Sequence, residues 1–338
     1  MKTVRDNCFD FLRFLFAFVV VIRHLTDITG VEPLQCLAPY FQTYISVTGF
    51  FVISGFLITQ SYMRSTVKQY FVKRAKRLLP AYLLIVSVSA VGLSALSSLS
   101  LHDYFCSSGL WQYLGAQLTF LNFLHPCLPG VFESDVFDCS VNPALWTLKI
   151  EVAFYICVPL IVWLLGKTKR KWAVLAVIYV LSVCYRNGLH WYANLTDRHS
   201  FVVLARQLPG FLSYFSAGML CYFYKDWFLA HKNRLILPAL AVFLAERYFD
   251  VEWLMPLAFG VTVIWTAYSL PWLNNFAKAG DISYGIYIYH APLIKTAYTL
   301  GLFSVMNAWA ASAVIILTVV VLGLLSWHLL EKPILARK

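Results

Sequence analysis

RFLFAFVVVIRHLTD, residues 13–27, is apolar enough to form the body of a membrane-spanning helix, yet it carries two arginines, a histidine and an aspartate. A charge near the middle of such a helix costs about 2.5–3.5 kcal/mol on insertion scales, so charged groups there face a bundle interior or a wet cavity. Arg13 and His24 are eleven residues apart, which returns them to within roughly 20° of each other around a helix axis and about 16 Å apart along it. One helix face therefore presents a cation near one end and an imidazole near the other. Asp27, three residues beyond His24, is placed to accept a proton from one imidazole nitrogen and leave the other basic. The plainer alternative has Arg13 and Arg23 snorkelling to the two interfaces, with His24 a polar residue near a helix end.

The rest of the chain supports the membrane reading. Of 338 residues, 60% are hydrophobic and 13% charged, and the mean hydropathy is +0.69; a soluble domain carries about 25% charged residues. The net charge of +11 does not indicate a nucleic-acid partner, because the cations sit mostly in short loops between apolar runs. No cleavable signal peptide is evident, since Arg13 interrupts the first apolar run. The expected fold is all-α and polytopic, one transmembrane domain over residues 1–338.

Ten runs long enough to span lie at 8–27, 44–62, 79–99, 145–165, 172–190, 200–223, 234–249, 253–271, 282–300 and 308–330. Alternate connections collect the cations: Lys2 and Arg5, then Arg64 to Arg77, Lys167 to Lys171, Lys225 to Arg234, Lys278, and Lys332 to Lys338. The opposite connections hold Glu32, Asp103, Glu133, Asp135, Asp138, Asp197 and Asp250, with Arg198 the main exception. The positive-inside rule then places both termini in the cytoplasm. The largest outer loop, 100–144, contains a stretch from Trp111 to Leu124 that suits an interfacial or re-entrant helix. Cys36, Cys106, Cys127 and Cys139 fall on this outer side, where a disulfide persists in an oxidising compartment; Cys127 with Cys139 is one candidate pair. No cysteine or histidine spacing indicates a metal site.

Further polar groups interrupt the apolar runs. GFFVISGFLIT, residues 49–59, offers Gly49, Ser54 and Gly55 for close helix approach. YFVKRAKRLLPAY, residues 70–82, packs Lys73, Arg74, Lys76 and Arg77 just before Pro80 at an expected helix start. Guanidinium groups and free N–H groups there suit a ligand with several phosphates, while attraction to anionic membrane lipids explains the same cluster without a ligand. NPALWTLKIEVAFY, residues 142–155, buries Glu151 one turn before Tyr155. DISYGIYIYHAPL, residues 281–293, buries His290 among Tyr284, Tyr287 and Tyr289, with Pro292 expected to kink the helix. Glu331, at the end of the last span, is placed to reach the basic cluster, and Arg206 is a further candidate inward-facing cation.

Arg13 and His24 with ten residues between them, GFFVISGFLIT, KRAKRLLPAY, LWTLKIEVAFY, ISYGIYIYHAPL and the terminal Glu331-Lys-Pro together resemble the acyltransferase-3 family of ten-helix membrane O-acyltransferases. The motifs occur in the family's order over nearly the whole chain. The resemblance implies transfer of an acyl group, commonly acetyl, from acyl-CoA (acetyl-CoA) as co-substrate to a hydroxyl of a carbohydrate acceptor such as a surface polysaccharide or lipid-linked glycan. It implies location in the bacterial inner membrane; on the spacing above, no resident metal is expected. On this expectation His24, Asp27, Glu151 and His290 are the catalytic candidates. Lys73, Arg74, Arg77 and Arg13 are the donor-binding ones, and Trp146, Tyr155, Tyr284 and Tyr287 contact substrate. Direct transfer and an acyl-histidine relay both fit. The competing class is a transporter or flippase, because intramembrane Arg, His and Glu also mark substrate paths; it predicts repeat symmetry or paired broken helices, and the sequence shows neither.

Overall fold

A computed structural model describes residues 6–134, 136–246, 248, 249 and 251–337. Lys2, Arg5, Asp135, Asp250 and Lys338, which entered the topology argument, lie outside the described residues. Among the described residues the regular structure is helical, with a lone antiparallel bridge between Cys127 and Ser140. The helices are α1 Phe9–Thr29, α2 Thr43–Met63, α3 Val67–Gly92, α4 Leu101–Cys106, α5 Ser108–Leu118, α6 Trp146–Gly166, α7 Lys171–Thr196, α8 His199–Ala205 and α9 Leu208–Phe223. They continue with α10 Lys225–Ala245, α11 Met255–Ser269, α12 Ser283–Thr299, α13 Leu302–Val305, α14 Ala308–Ser326 and α15 Lys332–Ala336.

A helix therefore stands over each expected span. Among the described residues six are long and apolar enough by themselves to cross a membrane, or seven if the bent pair Met255–Ser269 and Pro271–Lys278 counts as one. The protein is a multi-pass membrane protein. Large apolar side chains such as Val91, Trp163, Leu237, Leu244, Leu317 and Leu329 are exposed, as expected where the solvent is lipid rather than water.

The chain divides into two compact units. The first comprises Met1–Leu12, Val47–Phe71 and Ile150–Phe276. Its helices pack through small residues. A Cβ on Gly55 would collide with the backbone carbonyl of Phe215, and one on Gly218 with that of Val52, so α2 and α9 touch backbone to backbone. Rings fill the space beside this contact: Phe154 stacks on Phe215 at 4.1 Å between centroids, and Phe51 lies 5.1 Å from Phe154 and 4.8 Å from Phe211.

The second unit comprises Arg13–Ser46, Val72–Lys149 and Ala277–Lys338. Here α12 packs on α14, with Gly285 set against Gly323. α5 begins before the expected Trp111–Leu124 stretch and covers it only as far as Leu118, and Tyr82 of α3 stacks on Phe120 just beyond the helix at 4.7 Å. Cys127 and Cys139 form a disulfide, with Cα atoms 5.2 Å apart; Cys36 and Cys106 are free and exposed.

Two local expectations change. The basic cluster does not open a helix. α3 begins at Val67, capped by Thr66 Oγ1 accepting from Gln69 N–H at 3.3 Å while Gln69 Oε1 accepts from Thr66 N–H at 3.2 Å, a reciprocal capping box. Lys73 to Arg77 consequently lie inside the helix with their N–H groups in its ladder, and Pro80 is an interior residue. The run 200–223 is likewise two helices, because Pro209 belongs to the first turn of α9, and Gly210 packs against the carbonyl of Ala205, where α8 ends. Arg206 sits in that break and is exposed rather than inward-facing. α12, by contrast, runs from Ser283 to Thr299 through Pro292 without interruption.

Candidate active site

In the second unit, α1 presents Arg13 and His24 to the same neighbour. Arg13 Nη2 lies 3.2 Å from the Asp281 carboxylate, just before α12, and His24 Nδ1 lies 2.7 Å from His290 Nε2, two turns into it. This is the shared face expected from their spacing.

The imidazole pair has only one consistent neutral protonation pattern. His290 Nδ1 is 3.2 Å from the carbonyl of Ile286, which can only accept, so Nδ1 carries the proton and Nε2 the lone pair. His24 Nδ1–H must then donate to that lone pair, and His24 Nε2 is left as the basic nitrogen. Asp27 was one of the two expected orienting partners, with Glu151. Both Asp27 carboxylate oxygens instead accept from Arg23 Nε at 2.8 Å, and Arg23 Nη1 donates to the carbonyl of Ala38 at 2.7 Å. Arg23 is one turn before Asp27 and reaches it directly, which draws the carboxylate to the exposed side of α1.

Asp281 joins two cations. Besides Arg13 it meets Arg77 Nη2 at 2.6 Å, and Arg77 Nη1 continues to Glu331 at 3.3 Å. Burial raises the Asp281 carboxyl pKa, but the Arg13 and Arg77 guanidiniums and Ser283 outweigh it and hold the group well below the usual carboxylate range. The polar chain extends further: Ser326 Oγ donates to Glu331 at 3.0 Å and pairs with Tyr289 Oη at 2.8 Å. Glu331 is fully buried, so Arg77 is committed to internal carboxylates, with the rings of Trp327 and Tyr284 at 5.5 and 5.9 Å from its guanidinium carbon. Lys73 and Arg74 lie one turn earlier on α3, the first exposed and the second half-buried. Lys76 Nζ donates to the carbonyl of Arg337 at 2.5 Å.

The tyrosines mostly bond to backbone. Tyr284 Oη donates to the carbonyl of Leu78 at 2.9 Å, and Tyr287 Oη pairs with Thr147 Oγ1 at 2.8 Å and donates to the carbonyl of Ala144 at 3.3 Å. The Tyr287 ring stands 6.0 Å from that of His290. Trp146 is the first residue of α6 and is half-buried. Glu151 and Tyr155 belong to the first unit, where Tyr155 Oη donates to the Glu151 carboxylate at 2.8 Å and the carbonyl of Tyr155 accepts from Tyr70 Oη at 3.0 Å.

Three charged groups escaped the sequence reading. Asp281 was quoted in a motif without a role, although an acid opening a helix that carries His290 was a usable signal. Lys295, in the same helix, is 1% exposed and bound by Asp138 and Ser140. Arg186 is an inward-facing cation of the first unit, 2% exposed. Its Nε donates to Glu252 at 3.2 Å and its Nη1 to the Gly210 carbonyl and the Ser213 hydroxyl at 3.4 and 3.3 Å. Among the described residues no group of three or more His, Cys, Asp and Glu side chains is placed to hold a metal ion.

Known proteins resemble this chain over nearly its whole length. The chain is 27% identical to Nodulation protein 10 of Rhizobium leguminosarum bv. viciae over 97% of its own length and 92% of that protein's. It is 26% identical to an O-acetyl transferase of Shigella phage Sf6 over 98% of its own length and 97% of that protein's. No solved structure matches it. The sequence model of the acyltransferase-3 family, described as an acyltransferase domain, matches residues 6–327. With a helical membrane-embedded chain, an imidazole pair inside it and a family match over nearly its whole length, the protein belongs to the acyltransferase-3 family of integral-membrane O-acyltransferases.

Proposed function

We propose that this protein moves an acetyl group from cytoplasmic acetyl-CoA to a hydroxyl of a cell-surface carbohydrate, and that His24 Nε2 is the general base. The observation that carries the reading is the 2.7 Å contact between His24 Nδ1 and His290 Nε2, with His290 Nδ1 on the carbonyl of Ile286. A neutral histidine locked in one tautomer by a second histidine is a competent base, and positioned general bases contribute about 10² to 10⁴ in rate. The Sf6 relative, named an O-acetyl transferase, supports acetyl as the acyl group.

In the step proposed, the acceptor hydroxyl attacks the thioester carbonyl carbon as its proton passes to His24 Nε2. The tetrahedral adduct then breaks its C–S bond, and the departing thiolate takes the proton from His24 Nε2–H. The products are the ester and CoA–SH, and His24 returns to its starting tautomer. Lys73 and Arg74 hold the donor's phosphates. Arg13 and Arg77, fixed by Asp281 and Glu331, frame the path of the donor's arm. Tyr287 and Trp146 line the acceptor side; Glu151, held by Tyr155, acts as a positioning residue within its own unit.

We read the helices over the ten expected runs as ten spans; the positive-inside pattern supports cytoplasmic termini, and a bacterial inner membrane is what the family implies. The family match runs through the stretches of both compact units, which supports one acyltransferase domain. The test is transfer of label from radiolabelled acetyl-CoA to surface glycan in membranes, comparing the native protein with His24→Ala at matched expression. Transfer falling by about 10² or more with donor binding kept supports the base; undiminished transfer removes His24 from the chemistry.

A further inference from the structure

α12 has a defect two residues past His290. Pro292 has no N–H, so the carbonyl of Ile288, four residues back, lacks its intrahelical donor. Buried backbone carbonyls are almost always paired. Here the partner comes from outside the helix: Asn142 Nδ2 donates to Ile288 O at 2.8 Å.

Other contacts flank this one along α12. Toward the start of the helix, Tyr287 meets Thr147 Oγ1 and the Ala144 carbonyl at 2.8 and 3.3 Å. Toward its end, Lys295 Nζ donates to the carboxylate and carbonyl of Asp138 at 2.7 and 2.8 Å and to the carbonyl of Ser140 at 2.5 Å. As the numbers rise from 138 to 147 their partners fall from 295 to 287, so this segment runs antiparallel along α12 as a strap. The strap is anchored at its beginning. Cys139, between the two residues that bind Lys295, is bridged to Cys127, and Val141 N–H donates to the carbonyl of Pro126 at 2.9 Å.

We infer that Asn142 is a positioning residue for transfer, acting through His290. By supplying the donor that Pro292 removes, it holds the turn 286–290 in the geometry that puts His290 Nδ1–H on the Ile286 carbonyl and His290 Nε2 against His24. Lys295 and Tyr287 fix the strap on either side of that bond. The inference rests on the reading of His24 as the base.

The test is a set of double-mutant cycles, with rates taken per folded protein at saturating donor and acceptor. Asn142→Ala in the native background is expected to lower the maximal rate by about 10- to 100-fold, since small misplacements of catalytic groups cost that much, while acceptor KM stays within about twofold. In a Pro292→Ala background the restored N–H serves Ile288 O, and the same Asn142→Ala change is expected to cost about threefold or less. An equal loss in both backgrounds overturns the inference and moves Asn142 to substrate contact or general stability. The His290→Ala background decides the matter without the proline: Asn142→Ala adds no further loss there if it acts through His290, and a full additional loss contradicts it. His24→Ala is run in the same assay. If it keeps the native rate, the base reading fails; if it is inactive while the cycles are additive, only the positioning role fails.

Discussion

The two units bury charge in different ways. In the first, Arg186 is surrounded by local acceptors, one carboxylate, one carbonyl and one hydroxyl, and the packing around it is glycine against backbone and ring against ring. In the second, two cations and two carboxylates alternate from Arg13 through Asp281 and Arg77 to Glu331, and hydroxyls continue the chain to Tyr289, the residue beside His290. The first arrangement pins helices. The second links a charge-balanced network to the helix that carries an imidazole pair. Buried ionic groups are costly relative to apolar packing of the same shape, so a connected network next to a histidine pair points to function more strongly than one buried arginine does.

Removing Asp281 breaks this contrast most sharply. Asp281→Ala leaves Arg13 and Arg77 without their shared carboxylate, and loss of one partner from a buried ion pair costs about 3–5 kcal/mol. The melting temperature of the purified protein in detergent should drop strongly, and transfer should be lost. The same group predicts the acid behaviour. Its pKa is held below the unfolded value of about 3.9, so its contribution is present above that pH and is lost as pH falls through the lower folded value. Melting curves from pH 8 down to about 5 should therefore show no loss from Asp281.

Gly55→Val or Gly218→Val in the first unit comes next. Each drives a side chain into a backbone carbonyl, and overpacking of this kind costs about 1–3 kcal/mol. Melting temperature should fall while the rate per folded molecule changes little, the reverse of the pattern at His24. Arg186→Met preserves most of the volume and leaves the half-exposed Glu252 hydrated; a loss of about 1 kcal/mol is expected from the hydrogen bonds removed, with transfer near native. A rate loss at Arg186 comparable to that at His24 would erase the distinction between the units. The smallest effect should come from breaking the partly exposed Arg23–Asp27 pair with Arg23→Gln, at about 0–1 kcal/mol in thermal unfolding.

Much of the fold was legible because spanning segments are written in hydropathy, and the ten expected runs each contain a helix. What misled was local chemistry. The Thr66–Gln69 capping box starts α3 well before the basic cluster, and Pro209 splits the sixth run, but each signal lies in a few residues that a hydropathy window averages away. At the site, periodicity put Arg13 and His24 on one face of α1, and Glu331 was expected to reach the basic cluster; the geometry has Arg13 and His24 both meeting α12 or its approach, and Glu331 on Arg77. Partner choice was harder to read. Asp27 is the nearer carboxylate to His24 in sequence, yet Arg23 competes for it at the same one-turn spacing, while His290, 266 residues away, makes the contact. Asn142 and Lys295 were silent for the same reason, because a long-range bond to a proline-freed carbonyl or to a loop carboxylate leaves no periodic trace.

The most direct measurement is the acetyl-transfer rate of His290→Ala beside Asp27→Asn, with His24→Ala as the reference, at matched amounts of folded protein. If His290 sets the tautomer of His24, His290→Ala should lose about 10- to 100-fold, and Asp27→Asn should stay within a few-fold of native. A His290→Ala protein that transfers at the native rate, with Asp27→Asn as inactive as His24→Ala, would contradict the account.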